Sequence, residues 1–165
     1  MDTRHLRRAR NSRDGRGEPD YEPSALGWVR KHVEQVIRTG TTDGVTINGL
    51  PTVLMTYRGA KTGKIRKTPV MRVEHEGRYA AVGSNGGTAK NPQWYAGLAA
   101  GAVVELQDGR ATREYRAREV SGEERALWWD RAVAAYPDYA EYQRTTDRRI
   151  PVIVLEPVGE PDASG

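Results

Sequence analysis

Residues 52–84 read TVLMTYRGAKTGKIRKTPVMRVEHEGRYAAVGS, and this stretch indicates how the chain folds. Residues 52–57 are rich in β-branched and aromatic side chains, which favour strands, and they end at a glycine-bounded turn at 59–63. Residues 66–75 continue in extended form to a Glu-Gly pair, where we expect a tight hairpin, and the chain returns as residues 78–84. The stretch therefore predicts antiparallel strands joined by short turns.

The rest of the chain adds a second hairpin, a final apolar strand and several helices. The hairpin turns at an Asp-Gly pair at 108–109, and the final strand is IPVIVL at 150–155. Capping residues and helical spacing predict helices at residues 24–39, 92–100, 121–135 and 136–146. About six mostly antiparallel strands, with helices inserted late, predict an α+β, barrel-like sheet and not the βαβ alternation of a parallel one.

Length and composition limit the class of protein. The 165 residues are predicted to form one domain over residues 23–158. The chain has no cysteine, and its three histidines are scattered, so no disulfide, cysteine nucleophile or metal site is predicted. No apolar run approaches the roughly 20 residues that span a bilayer, and no apolar segment of a secretory signal follows the N-terminal arginines. We therefore expect a cytoplasmic location.

Positive charge is concentrated at the N-terminus. Residues 1–16 hold six arginines and two aspartates, so this segment has a net charge of +4. The whole chain has the same net charge, +4. Because this segment has too few apolar residues to bury a core, residues 1–22 are predicted to be a disordered tail, as are residues 159–165. A solvated tail is the simpler interpretation, so no nucleic-acid partner is expected. Contact with anionic lipid on the cytoplasmic side of a membrane, or with nucleic acid, is the alternative.

Four cations lie in or just after the glycine-bounded turn at 59–63. They are Lys61, Lys64, Arg66 and Lys67. Lysine and arginine side chains grouped beside a glycine turn suit a phosphate or a carboxylate, because both supply charge-assisted hydrogen bonds. A hairpin whose lysines are only solvated is the alternative interpretation.

A second candidate is VGSNGG at 82–87. Its glycines allow the backbone to approach a flat ring, and Ser84 and Asn85 can hydrogen-bond to the edge of that ring. The Lys-Asn-Pro run that follows is predicted to begin a helix, and Trp94 and Tyr95 come directly after it. A helix N-terminus with neighbouring aromatic rings offers an anion site and a wall. The alternatives are a flexible loop and a core role for Trp94.

Three tyrosines, Tyr136, Tyr139 and Tyr142, recur at spacings of three on a predicted helix and spread over about a third of its circumference. Their hydroxyls could donate to the carbonyl of an aromatic or quinone-like substrate. An amphipathic core face with polar tips is the alternative, and periodicity alone favours it.

The sequence contains no motif of side chains that would catalyse a reaction without a cofactor. There is no Ser-His-Asp order, no spaced pair of carboxylates in a loop, and no glycine motif of a dinucleotide or P-loop site. Chemistry in this protein would therefore need a cofactor.

Four sequence blocks resemble the deazaflavin (coenzyme F420)-dependent nitroreductase and quinone reductase family, and they occur in the family's order. The blocks are GAKTG at 59–63, SNGG at 84–87, KNPQWY at 90–95 and YPDYAEY at 136–142. The likeness covers about residues 45–157. It implies an FMN-binding split-barrel-like fold and coenzyme F420 as cofactor. It also implies an oxidoreductase that passes hydride to a quinone, a nitroaromatic or an activated alkene, with quinone reduction the first expectation.

The resemblance also implies site residues. Cofactor contacts are expected at Ala60, Lys61, Thr62, Arg66, Lys67, Thr68, Pro69, Val70, Met71, Val82, Gly83, Ser84, Asn85, Gln93, Trp94, Tyr95, Ala96 and Gly97. By the same likeness, the cations at 61, 66 and 67 would hold the phosphate and glutamyl carboxylates of F420, and Ser84 would meet its ring. The three tyrosines at 136, 139 and 142 would face the acceptor. Family members often carry lysine where this chain has Asn85, so one charge contact is expected to be missing.

The sequence is also compatible with other cofactors and functions for a barrel of this kind. FMN or haem can occupy a barrel of this kind, and FMN also carries a phosphate. A non-enzymatic F420 carrier, or a module that binds nucleic acid through residues 1–16, is a further alternative. A homodimer is also compatible with the resemblance.

Overall fold

The computed structural model describes residues 21–159, which form two compact units. Among the described residues, unit 1 consists of the chain up to Val70 and of Val103–Glu114. Unit 2 consists of Met71–Ala102 and of the chain from Tyr115 onward.

Unit 1 is built from one helix and antiparallel strands. Its elements are α1 (Gly27–Thr39), β1 (Thr46–Ile47), β2 (Leu50–Arg58), β3 (Ile65–Met71, except its last residue), β6 (Val103–Asp108) and the start of β7 (Ala111–Glu119). Strand β2 pairs with β1, β3 and β6, and its Met55 lies opposite Leu106 in an antiparallel register. The Asp-Gly turn predicted at 108–109 joins β6 to β7 as expected.

Helix α1 packs its valines on the strands of unit 1. Val29, Val33 and Val36 are buried together with Val45 and Leu54, as a stripe at helical spacing requires. The helix ends at a left-handed glycine at position 40, also as predicted. Its start differs from the prediction, because the hydroxyl of residue 24 accepts the N–H of residue 26 at 3.0 Å in a local turn.

Two residues assigned by sequence to the N-terminal tail belong to unit 1. Tyr21 bridges Ile65 of β3, and the Glu22 N–H donates to the Ile65 carbonyl at 2.9 Å. Residues 1–20 and 160–165, which make up most of the two predicted tails, lie outside the described residues. The single domain over 23–158 stays a prediction.

Unit 2 combines four strands with three helices. Its elements are β4 (Glu74–His75), β5 (Arg78–Val82), α2 (Tyr95–Ala99), the end of β7, α3 (Gly122–Ala135), α4 (Asp138–Arg144) and β8 (Val152–Pro157). Strand β8 pairs antiparallel with β5 and β7, and Ala81 lies opposite Ile153. Both residues are fully buried, which places the core of unit 2 along these central strands.

The predicted fold class, an α+β split barrel with mostly antiparallel strands, is confirmed. The described chain has eight strands and not six. One added strand is the short β1, and another arises because the extended segment at 66–75 divides into β3 and β4. In the gap between β3 and β4, the Val73 carbonyl still accepts the Ala80 N–H at 2.9 Å. This segment therefore stays beside β5 although it is not a continuous strand.

Several predicted element ends are wrong by a few residues. Helix α2 begins at Tyr95 and spans five residues, because residues 92–94 form a turn in which the Pro92 carbonyl accepts the Tyr95 N–H at 3.0 Å. Strand β8 begins after Pro151, which lacks the N–H that a ladder needs. Ser121 precedes α3 as predicted, but its side chain forms no capping bond. Glu124, its expected partner, instead binds the guanidinium of Arg118 through both oxygens, at 2.9 and 2.7 Å.

Within residues 21–159 no helix is both long enough and apolar enough to cross a membrane.

Candidate functional site

The basic turn of unit 1 is a defined structure with exposed cations. The Gly63 N–H donates to the Gly59 carbonyl at 2.9 Å, and the Gly59 N–H donates to the Lys64 carbonyl at 2.8 Å. Gly63 has a φ of 71°, which favours glycine at this corner. Lys61 and Lys64 are exposed, so the rigid turn presents two ammonium groups to solvent. The exposure of these two lysines is compatible with an anion clamp and also with a hairpin whose lysines are only solvated.

Arg66, the third predicted cation, already has partners. Its guanidinium lies 3.1 Å from a carboxylate oxygen of Glu22, and it hydrogen-bonds to the hydroxyl of Tyr57. Burial raises the pKa of Tyr57, and the neighbouring guanidinium opposes that rise. Because arginine carries five N–H donors, Arg66 can bind a further anion, or exchange Glu22 for it.

Lys67, the last of the four cations, is half-buried on β3. Its ammonium lies 3.3 Å from the Thr56 hydroxyl and 5.7 Å from the centre of the Tyr21 ring. The predicted neighbours Thr68 and Val70 are also half-buried, and Pro69 is buried. These β3 residues are held by the sheet, whereas the turn residues Ala60, Lys61 and Thr62 are exposed at its tip.

The Ser-Asn-Gly-Gly loop of unit 2 is tightly folded and not a flexible connection. Asn85, Gly86 and Gly87 have φ values of 47°, 68° and 81°, three successive left-handed residues. The Asn85 amide donates to the Thr88 hydroxyl at 3.0 Å and to the Lys90 carbonyl at 3.1 Å. Asparagine tolerates the left-handed region, and here its side chain closes the loop on itself. Asn85 therefore supports the shape of the loop in a way that lysine would not.

The residues before this loop are packed too closely for any side chain at position 83. A Cβ on Gly83 would lie 2.7 Å from Cγ of Pro151, and the Gly83 N–H donates to the Pro151 carbonyl at 2.9 Å. Val82, Ser84 and Met71 are also buried. The end of β5 is therefore a rigid base for the loop.

The three predicted tyrosines do form one cluster. The rings of Tyr136 and Tyr139 meet edge to face at 5.0 Å, and Tyr142 lies 6.2 and 6.4 Å from the two. The hydroxyls of Tyr136 and Tyr142 are 3.2 Å apart. Tyr136 and Tyr139 are buried and Tyr142 is half-exposed, and burial raises the pKa of Tyr139. Two of the tyrosines thus pack inward and one reaches the surface, and a role of the cluster in binding an acceptor stays a prediction.

The segment before α2 contributes one buried ring and one anchored ring. Trp94 is 6% exposed and belongs to the core of unit 2. The Tyr95 hydroxyl donates to Glu119 at 2.7 Å, and this bond raises the pKa of Tyr95. The predicted contacts Gln93 and Ala96 are exposed, and Gly97 is half-buried. A five-residue helix has little dipole, so the anion site expected at its start loses its electrostatic basis.

The sequence did not single out Arg148, which lies close to the predicted loop. Its guanidinium reaches three groups of the segment at 84–91. No short motif marks such an arginine, because its partners are 57 to 64 positions away in the chain.

A groove of about 540 Å³ lies elsewhere in unit 1, between α1 and residues 44–47. It is lined by Trp28, Lys31, His32, Gln35, Gly44, Val45, Thr46 and Ile47. None of the predicted site residues lines this groove, so it adds nothing to the predicted chemistry. In the described part of the chain, no group of three histidine, cysteine, aspartate or glutamate side chains is placed to hold a metal ion.

Comparison with known proteins defines the family. The family described as F420H(2)-dependent quinone reductase matches residues 28–157. Rv3178 of Mycobacterium tuberculosis, which carries this family name, is 39% identical over 108 residues that cover 66% of this chain and 91% of that protein. The F420H(2)-dependent quinone reductase Rv1261c of the same organism is 31% identical over 141 residues, 78% of this chain and 95% of that protein.

Two solved structures are also similar. One, described as an F420-H2 dependent reductase (FDR-A), is 53% identical with a TM-score of 0.61 and covers 64% of this chain and 94% of that one. The other, described as a domain-swapped dimer, is 52% identical with a TM-score of 0.63 and covers 78% of this chain and 97% of that one. The chain therefore belongs to the F420H(2)-dependent quinone reductase family. It is an oxidoreductase, and the cofactor of the family is coenzyme F420.

Each unit, taken by itself, presents residues that fit part of such a cofactor. In unit 1, the turn at 59–63 presents exposed ammonium groups, which suit phosphate and carboxylate charges. In unit 2, Gly86 is exposed and a Cβ there would meet nothing within 4 Å, so the backbone of the loop is open to close approach by a ring.

Proposed function

We propose that this protein reduces a quinone with hydride from reduced coenzyme F420. The observation that carries the proposal is the family match over residues 28–157, which includes all four sequence blocks. When bound, the reduced deazaflavin supplies the hydride, and the protein supplies orientation and hydrogen bonds. Nitroaromatics and activated alkenes are proposed as further acceptors, since each also presents an electron-poor face to a hydride donor.

Unit 2 carries the proposed reaction face. The left-handed run Asn85–Gly87 keeps backbone groups exposed beside Ser84, and these groups are proposed to contact the ring of the cofactor. Their geometry is set before binding, because the loop is closed by its own hydrogen bonds. A preorganised surface loses little conformational entropy when a ligand binds.

Tyr142 is the proposed donor to the acceptor carbonyl. It is the most exposed of the three tyrosines, and its hydroxyl is oriented by that of Tyr136 at 3.2 Å. Tyr139 is buried against both rings and against Trp129, so we propose that it supports the other two and does not touch the acceptor. A hydroxyl aimed at a carbonyl oxygen stabilises the negative charge that develops there during hydride transfer.

The cations of unit 1 are proposed to bind the acidic part of the cofactor. Lys61 is the best placed of them, because it is exposed and sits on a rigid turn, whereas Arg66 is shared with Glu22. We also propose a homodimer, on the ground that a solved structure 52% identical to this chain is described as a domain-swapped dimer. Light scattering on the purified protein measures this directly.

Binding and turnover test the proposal together. F420 and FMN are titrated separately against the protein while tryptophan fluorescence is followed, and oxidation of reduced F420 is then recorded with menadione as acceptor. We expect tighter binding of F420 than of FMN and acceptor-dependent oxidation. Equal or reversed affinities would favour the FMN alternative, and binding without turnover of any acceptor would favour a non-enzymatic carrier.

A further inference from the structure

Arg148 joins three separate points of the loop at 84–91. Its Nε donates to the Thr88 carbonyl at 2.9 Å, its Nη1 to Oδ1 of Asn91 at 2.6 Å, and its Nη2 to the Ser84 carbonyl at 2.8 Å. The three acceptors stand at the start, middle and end of the loop. One planar guanidinium therefore fixes distances across the whole segment, which a flexible ammonium cannot do.

The contact lies at an uncommon backbone conformation within the loop. Asn85 is held at a φ of 47°, and two left-handed glycines follow it. The Ser84 carbonyl, which Arg148 contacts, also accepts the Gly87 N–H at 2.8 Å, so the arginine binds at the carbonyl that closes the left-handed turn. Residues in sparsely populated conformations persist only where surrounding contacts hold them.

The same loop touches the tyrosine helix. A Cβ on Gly87 would lie 2.7 Å from the Thr145 hydroxyl oxygen and 3.2 Å from both Cα and Cβ of Tyr142. The loop backbone and the end of α4 are thus in direct contact. A shift of the loop toward α4 would therefore press on Tyr142.

We infer that Arg148 is a positioning residue, which holds the loop at 84–91 in the shape that receives the deazaflavin ring and sets the distance from that loop to Tyr142. The inference rests on the proposed function, because the ring contact is part of it. Arg148 itself donates to loop groups and is not assigned a contact with cofactor or acceptor. Its neighbour Arg149 has an exposed side chain and provides a control of equal charge.

The test compares Arg148→Ala and Arg148→Lys with Arg149→Ala. Without cofactor, amide hydrogen exchange at Gly87 and Thr88 should accelerate in both Arg148 variants, while exchange in β5 and β8 stays at the wild-type rate. The Kd for F420 should rise about tenfold or more, because charge-assisted hydrogen bonds to the loop are lost. The lysine variant should resemble the alanine variant, since it keeps the charge but not the three-pronged geometry.

Chemical rescue separates positioning from general stability. Free guanidinium at millimolar concentration should restore part of the F420 affinity of Arg148→Ala and should not affect Arg149→Ala. Unchanged loop exchange in both Arg148 variants, or an F420 affinity equal to that of Arg149→Ala, would overturn the inference. A wild-type protein that fails to bind F420 would overturn the proposed function instead, and the exchange data would still decide whether Arg148 holds the loop.

Discussion

Replacing Gly87 by alanine should disturb both the stability and the acceptor side of this protein. The residue has a φ of 81°, and an added Cβ would come within 2.7 Å of the Thr145 hydroxyl oxygen and within 3.2 Å of Tyr142 backbone and side-chain atoms. Real Cβ atoms essentially never come as close as 2.7 Å, so the Thr145 side chain must shift, and at 3.2 Å the loop or the end of α4 must give by a few tenths of an ångström.

Two contributions set the size of the effect. A non-glycine residue in the left-handed region costs about 1–2 kcal/mol, which the reduced entropy of the unfolded chain offsets by about 0.4–1 kcal/mol. Inserting a methyl group into a packed contact adds about 1–3 kcal/mol. The expected loss for Gly87→Ala is therefore about 1–5 kcal/mol. In a chain of this size each kcal/mol lowers the melting temperature by about 2–4 °C.

Gly86 provides the matched control. It has a φ of 68°, but nothing lies within 4 Å of a Cβ built there. Gly86→Ala should therefore show only the backbone contribution, below about 2 kcal/mol. Calorimetry or urea unfolding of the two variants gives the difference, which isolates the contact between the loop and α4. Turnover with menadione should fall in the Gly87 variant relative to the wild-type protein, because Tyr142 is displaced.

Equal stabilities of the two alanine variants would refute this reasoning. They would mean that the loop and α4 separate freely, and that the contact at Gly87 does not hold Tyr142.

Three further predictions address charge, chemistry and pH. Lys61→Ala should raise the Kd for F420 about tenfold at low salt and less at high salt. The control variant Arg113→Ala, which removes another exposed cation, should change this Kd little. Equal effects of the two variants would mean that the turn is only a solvated hairpin. Tyr142→Phe should lower turnover about tenfold or more with F420 affinity kept, while Tyr139→Phe, which keeps the buried ring, should leave turnover nearly unchanged. The reverse pattern in steady-state kinetics would transfer the donor role to Tyr139. Burial lowers the pKa of His32 below its ordinary value of 6.5, so the unfolded chain takes up the proton first as pH falls. Stability should therefore decrease below about pH 6.5, by at most about 1.4 kcal/mol per pH unit, in urea unfolding series, and His32→Gln should remove this part of the slope.

Local pattern predicted the elements but not all of their ends. The strands around the glycine turn at 59–63 and the Asp-Gly hairpin at 108–109 follow from residue types within a few positions, and they were found where expected. The end of α1 at Gly40 was predicted for the same reason. The early start assigned to α2 was wrong, because residues 92–94 form a turn before Tyr95, the first helical residue.

The sequence by itself determined where the strands and turns of this protein lie and that its three tyrosines share one face of a helix. These features depend on alternation, glycine position and helical spacing, which involve only near neighbours in the chain. Only the tertiary structure decided that Tyr142, and not Tyr139, reaches the surface. It also decided that Arg66 is shared with Glu22 and that Arg148 binds the loop at 84–91. These contacts join residues tens of positions apart, so they exist only after the strands have paired and the helices have packed. No local pattern contains that information.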